Sequence, residues 1–173
     1  MCKMVQVIKN QLKSMQKVKF SLFDYGAKNP LHKERFAALN REWLERYFRV
    51  EDHDAEAFAD PEGHILGKGG EILFAGTEGG IVGTGSLMAM EEATYEVAKM
   101  AVTQDWQGRG IGEEILRALI LKAQRKKARR LFIVSNTKLA RAIRLYRRHG
   151  FVDSLENRHG HYERGNITLE RAL

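Results

Sequence analysis

Residues 95–124 read YEVAKMAVTQDWQGRGIGEEILRALILKAQ, and three patterns follow one another within them. Tyr95 to Val102 (YEVAKMAV) is rich in strand-forming residues and predicts a β-strand. Gln107-Gly108-Arg109-Gly110-Ile111-Gly112 is a tight glycine-rich turn. Ile111, Ile115, Leu116, Leu119, Ile120 and Ala123 then recur at i, i+4, i+5, i+8, i+9 and i+12, the apolar stripe of an amphipathic helix. A strand that feeds a helix through such a turn brings several backbone N–H groups and the positive end of the helix dipole to one point. That arrangement predicts an anion site. Glycine suits it because a Cβ at any of these positions would hold a phosphate away from the main chain. Two familiar nucleotide motifs fail on spacing. A dinucleotide fingerprint needs glycine at the first, third and sixth positions, and Glu113 holds the sixth. A Walker A loop ends in Gly-Lys-Ser/Thr, which the stretch lacks.

Outward from this stretch, the same logic repeats once. Arg130 to Val134 reads as a buried strand, followed by a helix from about Thr137 to Arg148 with Leu139, Ala142, Ile143 and Tyr146 on one face. Gly150 is placed to end that helix as a C-cap. On the N-terminal side, Glu71 to Ala75 and Ile81 to Met90 predict antiparallel strands around Gly79-Gly80. Asn29-Pro30 opens a helix whose apolar residues are Leu31, Phe36, Leu39, Trp43, Leu44, Tyr47 and Phe48. Lys17 to Asp24 predicts a first strand, and Glu51-Asp52-His53-Asp54 the start of a short, solvated helix. Phe151 to Leu155 and Asn166 to Leu169 close the chain with two more strands. The order β, α, α, β, β, β, α, β, α, β, β predicts a mixed α+β domain, with helices packed on a twisted mixed sheet. Its one β-α-β crossover makes strands 95–102 and 130–134 parallel.

The chain has 173 residues, 43% of them hydrophobic and 29% charged, with 2 prolines. That size and composition fit one globular domain, which we place at 17–173, behind a basic extension at 1–16. Apolar runs such as Leu131-Phe132-Ile133-Val134 fall far short of the ~20 residues that cross a bilayer, so no membrane partner is expected. Cys2 is the only cysteine. With lysines scattered through residues 1–16, neither disulfides nor secretion is expected, and the cytoplasm is the expected location. The net charge of +7 is localised, since residues 122–148 carry eleven basic and no acidic side chains. Such a field attracts polyphosphates, nucleic acid or acidic partners without choosing among them. Arg141, Arg144 and Arg148 lie near one helical face, yet no stacking strand or helix-turn-helix accompanies them, so nucleic acid is not the expected partner.

Gln-x-x-Gly-x-Gly at 107–112 resembles the coenzyme-binding motif of the GNAT superfamily of acyl-CoA N-acyltransferases. The flanking segments LNREWLERYF (39–48), IVGTGSL (81–87) and SNTKLARAIRLYRRHGF (135–151) stand in the order that a GNAT domain has. In the last of them Asn136, Ala142, Tyr146, Gly150 and Phe151 match a second family pattern. The resemblance covers roughly residues 17–173. It implies a central β-α-β unit that binds acetyl-CoA as co-substrate without a metal, and transfer of the acetyl group to an amine. Monomer and homodimer both remain open.

The resemblance also implies roles for particular residues. Gln107, Gly108, Arg109, Gly110, Ile111 and Gly112 would hold the coenzyme pyrophosphate. Met100, Ala101 and Val102 would line the coenzyme, with the Val102 N–H on the thioester carbonyl. Asn136 and Ala142 would flank the pantetheine arm, and Tyr146 would protonate the departing thiolate. Glu96 stands where some GNAT enzymes carry a general base. Plainer readings stand beside these: Glu96 as an ion-paired strand residue, Tyr146 as a core aromatic, and Asn136 as a helix cap. Strict two-residue alternation puts Glu96 on the face of Val102 and Lys99 on the opposite face, as a packing or pairing residue. His159-Gly-His161 lacks further metal ligands and reads as a surface loop. The remaining alternatives are a module that senses acyl-CoA without turnover and one that docks on nucleic acid.

Overall fold

The structure, a computed structural model, describes residues 19–156, 158 and 162–173. The expected basic extension, the first two residues of the Lys17 to Asp24 strand and the His159-Gly-His161 segment lie outside the described residues. Seven strands form one sheet in the order β1-β2-β3-β4-β5-β7-β6. They are β1 (Ser21–Asp24), β2 (Glu71–Thr77), β3 (Gly80–Ala89), β4 (Thr94–Val102), β5 (Arg130–Ser135), β6 (Val152–Asp153) and β7 (Ile167–Ala172). β4 and β5 are parallel, joined by helix α3 (Ile111–Arg125), and every other neighbouring pair is antiparallel. This is the mixed sheet expected from the element order. No helix among the described residues is long and apolar enough to cross a membrane.

The two faces of the sheet carry separate cores. Leu73, Ala75, Leu87, Val97, Leu131 and Ile133 pack against Ile115, Leu116, Leu119 and Ala123 of α3 and Ile143 and Tyr146 of α4 (Ala140–Arg148). On the other face Ile72 and Phe74 pack against Phe36 and Leu44 of α1 (Pro30–Tyr47) and Ala57 and Phe58 of α2 (Asp52–Ala59). Neighbours in β2 thus point to opposite cores, as the strand period requires. α3 lies close to β3 because Gly85 has no side chain: a Cβ there would come within 2.7 Å of Ile115 and 2.9 Å of Leu119.

The helix ends follow local chemistry. The Asn29 side chain accepts the Leu31 N–H at 3.1 Å, and Pro30 takes the first turn of α1. Gly150 adopts φ +81° after α4, and the Phe151 N–H returns to the Tyr146 carbonyl at 3.2 Å. α4 begins at Ala140, three residues later than expected. Asn136 Oδ1 accepts the Lys138 N–H, and Asn166 Oδ1 accepts the Thr137 N–H, both at 2.9 Å. Those side chains hold 136–138 in a turn that competes with the helix.

Two expectations drawn from local pattern are corrected. β4 carries a bulge: Thr84 and Ser86, two steps apart on β3, face Ala101 and Ala98, three steps apart on β4. Lys99 absorbs the extra residue at φ +52°. The alternation therefore reverses at Lys99. Val97, Met100 and Val102 belong to the α3 side of the sheet, whereas Glu96 and Lys99 share the other face. The helix start at 51–54 is not solvated either. Asp54 is fully buried and Glu51 is 9% exposed, because both are held by residues from the far end of the chain.

Candidate active site

β4 and β5 pair only from Thr94 with Arg130 to Glu96 with Phe132. Beyond that point they part and leave a cleft of about 660 Å³ between them. The Thr103 N–H bonds the Val82 carbonyl on β3 at 2.9 Å. By antiparallel alternation, the N–H and C=O of Val102 therefore point away from β3, into the opening. The Val102 carbonyl accepts Gln107 Nε2 at 2.9 Å, which ties the glycine turn to the strand and leaves the Val102 N–H facing the cleft.

At one end of the cleft lies the turn. Gly108 and Gly110 adopt φ +75° and +82°, values that side chains resist, and Gly110 caps α3. A Cβ built on Gly110 meets nothing within 4 Å, and one on Gly112 meets only Val102, at 3.8 Å. These glycines therefore keep open space in front of the helix end rather than relieve an internal clash. The Glu114 N–H bonds back to the Gly110 carbonyl, so the amides ahead of it are the unshared donors of a helix start. Lys138, Arg141, Arg144 and Arg148 line the same cleft, and Arg109 stacks on Trp106. Glu113 does not cancel this charge, because Arg148 and His149 hold its carboxylate. Open backbone donors ringed by cations fit a pyrophosphate.

Tyr146 of α4 lines the cleft together with Ala142 and Leu145. Burial pushes its hydroxyl up to about 12, so it stays protonated near neutrality. No hydrogen bond to a described residue occupies the hydroxyl. Asn136 also lines the cleft, but its side chain is occupied: Nδ2 donates to the Arg164 carbonyl at 2.6 Å while Oδ1 accepts from Lys138.

The other end holds a charged cluster. Glu96 is 5% exposed, and burial raises its carboxyl to about 7 against the Lys99 charge and a hydrogen bond from the Tyr162 hydroxyl. Asp54 accepts Lys99 Nζ, both nitrogens of the Arg164 fork at 2.6 and 3.0 Å, and the Glu51 N–H at 3.2 Å. Burial would raise the Asp54 carboxyl, but these donors outweigh it and hold it at about 2. Glu51 accepts the Glu163 and Arg164 N–H groups at 3.0 and 3.1 Å, which fastens the segment before β7 to α2. The cleft thus joins the sequence candidates Glu96, Met100, Ala101, Val102, Gln107, Gly108, Gly110, Ile111, Gly112, Asn136, Ala142 and Tyr146. Asp54, Tyr162 and Arg164 also line it but carry no sequence motif. Only their contacts across 45 or more residues mark them.

The family described as Acetyltransferase (GNAT) domain matches residues 68–153, from before β2 to the end of β6. No curated protein sequence matches the chain significantly. Among solved structures, a GNAT acetyltransferase from Staphylococcus aureus Mu50 superposes with a TM-score of 0.80 at 19% identity, over 90% of this chain and 99% of that one. A GNAT acetyltransferase from Elizabethkingia anophelis, solved with acetyl-CoA bound, gives 0.67 at 22% identity, over 89% and 98%. A Bacillus subtilis acetyltransferase in complex with CoA gives 0.68 at 18%, over 90% and 99%. Strand splay, glycine turn and family match coincide on the β4-α3-β5 unit, and the chain belongs to the GNAT superfamily of acyl-CoA N-acyltransferases.

Proposed function

We propose that the protein transfers the acetyl group of acetyl-CoA directly to a primary amine of a small molecule, peptide or protein, within a ternary complex in the cytoplasm. The observation that carries this reading is one cleft lined both by Tyr146, whose hydroxyl stays protonated, and by Glu96, a buried carboxyl near neutrality. Bound acetyl-CoA supplies a thioester, whose acyl carbon the amine attacks. The turn at 107–112 holds the pyrophosphate through backbone N–H groups, with Lys138 and Arg141 beside it. The Val102 N–H bonds the acyl oxygen and gains strength as charge develops there. Glu96 takes a proton from the incoming ammonium, directly or through a water, and its affinity for that proton suits neutral pH. Tyr146 returns a proton to the departing sulfur. The experiment is a screen of amines for release of free thiol from acetyl-CoA. Tight coenzyme binding without release for any amine would favour an acyl-CoA sensor.

Two variants test the parts. Gly112→Val adds a side chain where only ordinary contact with Val102 awaits it, so the fold should persist. It should weaken acetyl-CoA binding about tenfold or more in calorimetry, since losing hydrogen bonds to a charged group costs about 1.5–3 kcal/mol. Unchanged affinity would remove the turn from the coenzyme site. Tyr146→Phe should lower kcat about tenfold with the coenzyme Kd unchanged, because ring packing stays and only the proton donor is lost. The loss is modest because a thiol with a pKa of about 8.5 is already a fair leaving group. Wild-type turnover would make Tyr146 a core residue only.

A further inference from the structure

The acceptor end of the cleft contains more charge than the proposed reaction uses. The bulge at Lys99 turns that lysine onto the face of Glu96, and its Nζ lies 5.4 Å from the centre of the Tyr162 ring. Arg164 stacks on the same ring at 4.9 Å, and the Tyr162 hydroxyl donates to Glu96. A buried lysine and a partly buried arginine thus flank the group that would receive the proton. Left to themselves, they would hold Glu96 ionised and make it a weak base, because opposite charge within a few ångströms favours the carboxylate.

Asp54 prevents this. Its two oxygens take four hydrogen bonds, three of them from Lys99 and Arg164, and it has no exposure to water. The groups facing Glu96 are Lys99 from its own strand, Asp54 from α2 with Glu51 and His53 behind it, and Tyr162 and Arg164 from the segment before β7. The flanking strands offer no charge there: Met88 of β3 and Phe132 of β5 stand opposite Glu96. His53 adds none at neutral pH, since burial lowers its affinity for a proton.

We propose that Asp54 is a positioning residue for Glu96: its buried carboxylate sequesters Lys99 and Arg164, so that the neighbouring carboxyl stays free to accept the proton of the incoming amine. The role rests on Glu96 being the base of the transfer reaction, but the charge arrangement itself can be tested without any acceptor.

The test is the titration of Glu96, followed by carbon-13 NMR of side-chain-labelled glutamate in the full-length protein without coenzyme, with Glu96→Gln identifying the signal. In wild type the signal should titrate at about 7. Asp54→Asn releases Lys99 and leaves Arg164 held by Glu51 alone, and should move that titration down by at least one unit. Lys99→Met removes one cation and should move it up, and the double variant should return it toward wild type. Should Asp54→Asn fail to fold, the upward shift in Lys99→Met decides. A Glu96 titration unmoved in the folded variants overturns the proposal and makes the cluster a structural pin only. With an acceptor in hand, the acidic limb of kcat/KM should shift as the NMR titration does. A shifted titration with no turnover in wild type would instead defeat the transfer reaction and leave the charge arrangement standing.

Discussion

Replacing Glu96 with Gln is expected to slow acetyl transfer about 10²- to 10³-fold at neutral pH, the usual contribution of a positioned general base. Coenzyme affinity should be unchanged, since Glu96 lies at the opposite end of the cleft from the glycine turn. The deficit should shrink as pH rises toward the pKa of the acceptor amine, because solvent then supplies neutral amine without help. A deficit constant with pH would make Glu96 a group that orients the acceptor. The same variant should be more stable than wild type in alkaline solution. The native carboxyl titrates above its ordinary value of 4.5, at about 7. Its contribution to stability is therefore complete below about 4.5 and is lost as pH rises through about 7. At pH 8 the neutral amide should gain on the order of 3 kcal/mol over the buried carboxylate. Urea unfolding at pH 5 and pH 8 measures this, and an equal difference at both would contradict it.

Asp54→Ala is expected to lower stability by about 3–5 kcal/mol, the cost of removing one partner from a buried ion pair. Lys99 would lose its anion inside the protein, Arg164 would be left with Glu51 alone, and the N–H of Glu51 would lose its acceptor. Combining it with Lys99→Met should recover part of the loss, because an apolar pair is tolerated where a stranded charge is not. Denaturant midpoints at fixed pH check both. A loss below about 1 kcal/mol for the single variant would mean that water reaches the cluster.

The contrast between the two ends of the cleft explains what the sequence made legible. The glycine-turn end is built from contiguous residues. Gly108, Gly110 and Gly112, the stripe from Ile111 to Ala123 and the Gly150 cap each act within a few residues, so spacing alone exposes them. The element order and the parallel pairing of β4 with β5 followed from the same local signals, whereas the place of β7 between β5 and β6 did not. The charged end is assembled by contacts between residues 51–54, 96–99 and 162–164, and nothing in any of these segments announces the others. Lys99 adopts a left-handed conformation without being glycine, so the bulge leaves no mark in the sequence, and alternation assigned Lys99 and Val102 to the wrong faces relative to Glu96. Glu51 and Asp54 read as a solvated acidic start because local pattern cannot see an arginine 110 residues away.

The central claim is chemical and calls for a measurement of product. Purified protein, acetyl-CoA and an amine drawn from the thiol-release screen would be incubated, and the mixture analysed by mass spectrometry alongside the free-thiol count. N-acetylated amine and free CoA should form in equal amounts, at a rate that falls with Glu96→Gln. Thiol release without acetylated amine, or equal product from wild type and Glu96→Gln at neutral pH, would contradict it.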